Sequence, residues 1–489
     1  MENGEGAITL AEEAAVIAAE TGGMSGTLGI IGMLLAIAVM IVGAFRGMKA
    51  IPLTLLAAFV VIVFNGMGLW SSYSQYYAGS INNTFGAFSE NSFGGVISRL
   101  FFMFIASSAY AMVMEKTGST AAIGMQLVKW FGTKHVIWVI YVFTCILTMG
   151  GVNLFVCVFA VTPIAFVLFR EANLPRHLIM APMAAGGATI TMTTLPGAPS
   201  LPNVFASDWL DTQMTAAPVF SLIFATAVVA LTAVYFKYAL NDALKKKETF
   251  NFPVGYDSSS LTIDKSKLPN PIIAFFPIAV LIPFILASIV LKAPYAVNAA
   301  GETTPILLTT LAMVIAIVLC LILNIKRIPT VASVKNWFGD GANNGVVAMA
   351  GLAAVIAFGN VVSHAPVFQS VVKWITELPI NEYVKGVIST GIISGITGSS
   401  SGGLNITFQN LAGHFRSIEG LNLDILHRVM AIAGGTFDTL PHVSSIFLFL
   451  AILGCTHKEA YKHLWWTTVV IPTVLIVIAL IPVVLIFRY

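Results

Sequence analysis

The stretch GGTFDTLPHVSS, residues 434–445, sets Asp438 and His442 on either side of Leu440 and Pro441 inside an otherwise apolar region. Pro441 cannot donate the backbone hydrogen bond that a continuous helix needs, and its ring clashes with the preceding turn. A helix is therefore expected to stop near Phe437 and restart at Pro441. In hydrocarbon an unwound segment survives only where it is buried in protein or lines a wet cavity. An intramembrane carboxylate is costly, so its default reading is functional. The stretch thus predicts a discontinuous transmembrane helix with a polar site at its break.

The rest of the chain is consistent with that reading. Of 489 residues, 57% are hydrophobic and only 10% charged, against about 25% charged in a typical soluble domain. Runs of roughly 20 apolar residues recur along the whole length, as a polytopic membrane protein requires. Candidate spans lie at about 27–45, 49–66, 92–114, 177–200, 214–236, 271–291, 304–324, 342–363, 427–449 and 464–487. Two further apolar regions, 135–169 and 383–415, each break at a double glycine. Residues 1–26 carry five glutamates and no Lys or Arg; they lack the basic start of a signal peptide and read as an acidic, disordered tail. Cys145, Cys157, Cys320 and Cys455 are widely spaced in apolar segments, a pattern of neither a disulfide framework nor a metal site. A net charge of +3, with the basic residues in short loops, does not suggest nucleic-acid binding.

The chain reads as a duplication. QLVKWFG at 126–132 is echoed by SVVKWIT at 370–376, GGVN at 150–153 by GGLN at 402–405, and TTLPGAP at 193–199 by DTLPHVS at 438–444, at offsets of 244, 252 and 245 residues. Three matches in the same order at nearly constant offset define an internal repeat. This divides the chain into the tail (1–26), a first transmembrane repeat (27–239), a basic cytoplasmic linker (240–270) and a second repeat (271–489). With the tail outside and each double-glycine region returning to the side it entered from, inside loops hold 18 of the 25 basic residues. Outside regions hold Lys292, Lys373, Lys385, Arg416, Arg428 and Arg488, and Arg99 lies within a span. That split follows the positive-inside rule. Five crossings per repeat, an odd number, turn the second copy upside down relative to the first. The expected fold is therefore all-α and polytopic, with two inverted-topology repeats, each having five crossings, one re-entrant hairpin and one broken helix, as in secondary transporters. The VKW segments read as amphipathic connectors at the membrane surface, with Trp130 and Trp374 as interface anchors.

A broken helix presents free N–H groups and the positive end of a dipole toward the midplane, which makes an anion site. The first repeat should break in the same way at Pro196. If the double-glycine regions are re-entrant hairpins, Asn153 and Asn405 sit at their tips, where the second arms begin. Four helix N-termini would then converge on one pocket lined by hydroxyls and amides, among them Ser399 and Thr436. Its candidate substrate-binding residues are Gly151, Asn153, Thr193, Thr194, Ser400, Ser401, Gly403, Asn405, Thr439 and His442, with Asp438 as the carrier of the coupling ion. Competing local readings exist for each. Asp438 could cap a helix break, His442 could be a packing histidine, and the asparagines could be turn residues beside glycine. Arg99 could snorkel to the outer interface or pair with Glu90 instead of contacting substrate.

The segment GGTFDTLPHVSSIFLFLAILGCTHKEAY resembles the C-terminal signature of the gluconate permease family, within the larger ion transporter superfamily. KHVIWVIYVF, the LPG-containing segment and the overall length are similar too, and the resemblance runs from about residue 90 to the C-terminus. It implies proton-coupled uptake of small hydroxycarboxylates such as gluconate, related sugar acids or 3-hydroxybutyrate. It also implies a substrate site formed by paired re-entrant hairpins and broken helices. Members of that family often carry Asn-Gly after the LPH element, where Val443 and Ser444 stand here. The expected partners are a small carboxylate and the lipid bilayer, with no cofactor and no metal; homodimerisation is left open. The coupling ion is read as a proton, with sodium as the alternative because backbone carbonyls at unwound segments can hold Na⁺. A rival from another class is an intramembrane serine hydrolase, since GSSSG at 398–402 fits G-x-S-x-G and His442 and Asp438 could complete a triad. The first repeat has no serine at the equivalent place, so a transporter accounts for both copies and a hydrolase for one. A channel is disfavoured by the interrupted helices and the enclosed polar site.

Overall fold

A computed structural model describes residues 26–80, 89, 91–149, 154–198, 200–253, 268–290 and 305–486. The tail to residue 25, Glu90, Gly151, Asn153, residues 254–267 of the linker, Lys292 and Arg488 lie outside the described residues. Every regular element among those described is a helix. The first half contains α1 (Thr27–Phe45), α2 (Ala50–Phe64), α3 (Phe93–Lys116), α4 (Ser119–Phe131), α5 (Val136–Met149) and α6 (Leu154–Glu171). It continues with α7 (Met180–Ala184, running on as a π-helix over Ala185–Thr194), α8 (Leu201–Leu210) and α9 (Pro218–Lys245). The second half contains α10 (Pro271–Val290), α11 (Pro305–Leu323), α12 (Val331–Ser363), α13 (Pro366–Thr376), α14 (Glu382–Thr397) and α15 (Ser400–Ser417). It ends with α16 (Leu423–Phe437), α17 (Ser444–Leu453) and α18 (His457–Ile486, with a π-helical stretch at Trp465–Val470).

Among the described residues five helices are long and apolar enough to cross a membrane on their own: α1, α3, α9, α12 and α18. The pair Ser119–Phe131 and Thr133–Met149 passes the same test together but bends by 101°. The apolar outer surface matches this reading. Val219, Ile223 and Val234 on α9 and Ile478, Ile481 and Leu485 on α18 are exposed, an arrangement suited to lipid and unfavourable in water. Trp130 and Trp374 project from α4 and α13 at 61% and 60% exposure, and the Trp130 ring stacks on Phe275.

Helix packing follows small residues. Gly341 and Gly345, one turn apart on α12, lie on the backbone of α3; a Cβ on Gly341 would stand 2.7 Å from Ala109 Cα, and one on Gly345 2.7 Å from the Phe104 carbonyl oxygen. Only glycine allows so close a crossing. Contacts in the two halves run in parallel. α1 packs on α2 and α10 on α11, α2 on α12 and α11 on α3, α1 on α13 and α10 on α4. Likewise α4 packs on α6 and α13 on α15, α5 on α7 and α14 on α16, α8 on α15 and α17 on α6. α3 crosses α12, and α7 crosses α16.

The 383–415 region is a helical hairpin. His414 Nε2 and Glu382 Oε2 lie 3.0 Å apart at its open end, and Gly403 abuts Ser394 nearer the tip. The turn falls at Gly398, in the left-handed region at φ 65°, and Ser399 caps the second arm by accepting from Gly402 N–H at 3.1 Å. The chain therefore turns four residues before the double glycine, which instead occupies the first turn of α15. A capping serine and a left-handed glycine set the turn, and Gly402–Gly403 serve the approach of the arms. In the first half α5 packs on α6, so these two arms likewise lie side by side. The four cysteines are free.

Candidate functional site

Two helices are discontinuous, as the proline motifs require. α7 ends at Thr194 and α8 begins at Leu201; α16 ends at Phe437 and α17 begins at Ser444. The second helix restarts three residues later than expected from Pro441. The intervening segment is held open by partners from α18. Tyr461 Oη donates to the Thr439 carbonyl at 2.9 Å, and His457 Nε2 bonds the Pro441 carbonyl at 2.8 Å. Val443 N–H closes a turn on the Leu440 carbonyl at 3.0 Å. The contacts to Leu440 and Pro441 take up carbonyls that a helix restarting at Pro441 would bond internally. The first break starts at Leu195, one residue before Pro196, where the π-helical end of α7 closes with Leu195 N–H on the Ile190 carbonyl at 2.9 Å. Wide π turns are frequent at functional sites.

The two breaks meet. Gly435, three residues before Asp438, faces Thr193, whose Cγ2 would lie 2.5 Å from a Cβ at that position. The carboxyl group of Asp438, partly buried, lies beside the hydroxyl and the backbone N–H of Ser400. The carboxyl of the second break therefore sits on the N-terminus of α15, where helix N–H groups favour negative charge. One of the expected anion positions is thus taken by the protein's own carboxyl group.

The remaining candidates are spread over the hairpin and the two breaks, with Arg99 apart from them. Ser401 joins Ser399 at 3.3 Å at the hairpin tip, beside the Ser400–Asp438 contact. Thr193 and Thr194 are buried, and both hydroxyls donate to the Thr189 carbonyl, at 3.2 and 3.0 Å. Thr439 accepts from Thr468 at 2.8 Å and donates to the Thr436 carbonyl. Thr436 itself donates to the Ile432 carbonyl, and His442 bonds the Gly395 carbonyl at 2.8 Å through Nε2. Thr439 and His442 thus brace the unwound segment against α18 and the hairpin. Asn405 lies in the second turn of α15, past the tip, with its Oδ1 accepting from Trp209 Nε1 of α8 at 3.1 Å. Arg99 stands on an exposed face of α3. No Ser–His–Asp chain exists among Ser400, Asp438 and His442, because His442 bonds the Gly395 carbonyl through Nε2 and its Nδ1 bonds neither of the other two.

One residue beside the breaks was not picked out from sequence. Arg428, counted among the outside basic residues, lies inside α16 and is fully buried. Its Nη1 donates to the Thr193 carbonyl at 3.2 Å and to Asn203 Oδ1 at 2.7 Å. Its Nη2 donates to the Met214 and Ala216 carbonyls at 3.1 and 3.2 Å. Neighbouring His427 reaches Asn203 Oδ1 at 3.3 Å and Thr212 at 2.8 Å. Local hydropathy carries no signal for this, since the acceptors lie more than 200 residues away in sequence.

Discontinuous helices meeting inside an apolar helical bundle are the architecture of a membrane transporter. The profile of GntP family permeases matches residues 30–488, and the chain belongs to that family. It is also 28% identical over 468 residues to the uncharacterized transporter YxjC of Bacillus subtilis (strain 168), an alignment covering 90% of this chain and 95% of that protein. The protein is a multi-pass membrane transporter of a small molecule and not an enzyme.

Proposed function

We propose that the protein imports a small organic anion, a gluconate-like sugar acid or another hydroxycarboxylate such as 3-hydroxybutyrate, in symport with a proton. The observation that carries this reading is the Asp438 carboxyl group set beside Ser400 at the N-terminus of α15, next to the junction of the two broken helices. Ionised Asp438 occupies the Ser400 donors and repels a substrate carboxylate. Protonation removes the repulsion and weakens its hold on those donors, so proton and anion bind better together than apart. That mutual dependence is the coupling free energy of a symporter. Thr193, Thr194, Ser401 and Asn405 surround this junction as the remaining polar contacts for substrate, with Asn405 passing between Trp209 and the ligand. Thr439 and His442 hold the break in shape.

Sodium is the second reading for the coupling ion. The carbonyls it would use at the second break accept from Tyr461 and His457, and at the first break the Thr193 carbonyl accepts from a guanidinium. A cation would have to displace these donors, which favours the proton.

Duplication is supported by the matched contacts of α1–α9 with α10–α18, in which a helix has its counterpart nine elements later; its inversion rests on the odd number of crossings per repeat and the split of basic residues. In this reading α3 and α12 are one pair of counterparts crossing each other, and α7 and α16 another. The N-terminus then lies outside the cell membrane and the 240–270 linker inside. The test is uptake by proteoliposomes of D-gluconate, D-glycerate and (R)-3-hydroxybutyrate, with an imposed proton or sodium gradient. Uptake of at least one acid driven by the proton gradient alone is expected. Uptake that follows only the sodium gradient contradicts the coupling, and transport of none of the acids contradicts the substrate class.

A further inference from the structure

Arg428 is a unit positive charge fully buried in the bundle, and every oxygen it bonds belongs to a neutral group. No carboxylate forms an ion pair with it among the described residues; the acid nearest it in sequence, Asp424, stands one turn earlier on α16. Burying a guanidinium costs several kcal/mol, and four hydrogen bonds to dipoles offset the desolvation without cancelling the charge. The acceptors surround the first break. The Thr193 carbonyl is at the end of α7, Asn203 is in the first turn of α8, and Met214 and Ala216 lie in the link to α9. Thr193 also touches Gly435, which leads into Asp438. The junction of the breaks therefore has a permanent positive charge with no direct ion-pair partner on one side, Asp424 acting on it only from a distance, and a carboxyl group on the other.

We propose that Arg428 is the residue that makes this junction selective for anions, acting through its field without touching the substrate. The inference rests on the reading of the junction as the substrate site. With Asp438 protonated, the junction carries one net positive charge and takes one carboxylate, and the loaded site is neutral. A unit charge about 10 Å from a bound carboxylate, at an effective dielectric near 20, changes binding by roughly tenfold or more. A purely mechanical clamp between the two halves would affect charged and uncharged ligands alike.

Asn203→Asp separates the two roles. It keeps the acceptor that lies 2.7 Å from Nη1 while placing a negative charge that cancels the guanidinium, and it loses only the bond that Asn203 Nδ2 donates to the Ala198 carbonyl at 3.0 Å, a loss that acid and amide ligands would share. Arg428→Gln removes the charge outright, and Arg428→Lys keeps it with poorer geometry. The measurement is binding to the purified full-length protein of D-gluconate, D-glycerate and (R)-3-hydroxybutyrate, each against its uncharged amide. The preference for acid over amide should fall about tenfold or more in Asn203→Asp and Arg428→Gln and persist in Arg428→Lys. If Arg428→Gln does not fold, Asn203→Asp decides alone. An unchanged preference in Asn203→Asp, or equal losses for acid and amide, overturns the field role and leaves the substrate site standing. Failure of the wild type to bind any of the acids overturns the site and this inference together.

Discussion

The two glycines of the 402–403 pair are chemically identical and should behave in opposite ways. A Cβ on Gly403 would lie 2.1 Å from Ser394 Oγ, 2.5 Å from Ser394 Cα and 2.6 Å from Ser394 N. Ordinary contacts begin near 3.4 Å, so the hairpin arms would have to part by roughly an ångström. Two of these atoms are backbone, so rotating a side chain cannot relieve the clash. Overpacking of this kind costs about 1–3 kcal/mol, of which the better helix propensity of alanine returns at most about 1 kcal/mol. A Cβ on Gly402 would meet only Ser399 Oγ and Cβ, at 3.2 and 3.3 Å, so the capping serine has to give by only a few tenths of an ångström and the propensity gain is opposed far less than at Gly403. Gly403→Ala should therefore lower the thermal midpoint of the purified protein by several degrees and reduce uptake. Gly402→Ala should leave the midpoint unchanged or slightly raised. Thermal unfolding followed by size-exclusion chromatography measures both. Equal behaviour of the two variants, or a wild-type midpoint for Gly403→Ala, would refute the close approach of the arms.

Tyr461→Phe deletes the hydroxyl that donates to the Thr439 carbonyl. It should cost about 0.5–1.5 kcal/mol of stability, read as a lower unfolding midpoint, and should slow uptake more than it weakens substrate binding, because it loosens the break and not the contacts to ligand. Single cysteines at Lys247 and Ser370, both exposed, should react with an impermeant thiol reagent from opposite sides of sealed vesicles; labelling from the same side removes the inverted-repeat reading.

The breaks and the hairpin were legible in sequence because their causes are local: proline at 196 and 441, glycine and serine at 398–401. Their edges were less so. The restart at Ser444 depends on Tyr461 and His457, which the chain brings back from α18, and the π-helical end of α7 has no pattern that a period of 3.6 would show. Asp438 stood out as a carboxylate in apolar surroundings, but its seat on Ser400 joins segments that only the hairpin fold places together. Arg428 was hidden for the opposite reason. It stands at the very edge of the expected 427–449 span, where it counts with the outside charges, whereas tertiary hydrogen bonds to the first break bury it in the protein. Asn405 was visible as a repeated GGxN element, while its pairing with Trp209 depends on the packing of α8 against α15.

Asp438→Asn tests the central claim most directly. The amide fills the same space and can still accept from Ser400, but it cannot take up a proton. In proteoliposomes loaded with the transported acid, the variant is expected to exchange labelled substrate with its unlabelled pool while failing to accumulate it when a pH gradient is imposed. Wild-type protein is expected to do both. Accumulation by Asp438→Asn at the wild-type level would contradict Asp438 as the proton carrier and, with it, the coupling of anion to proton at the junction of the broken helices.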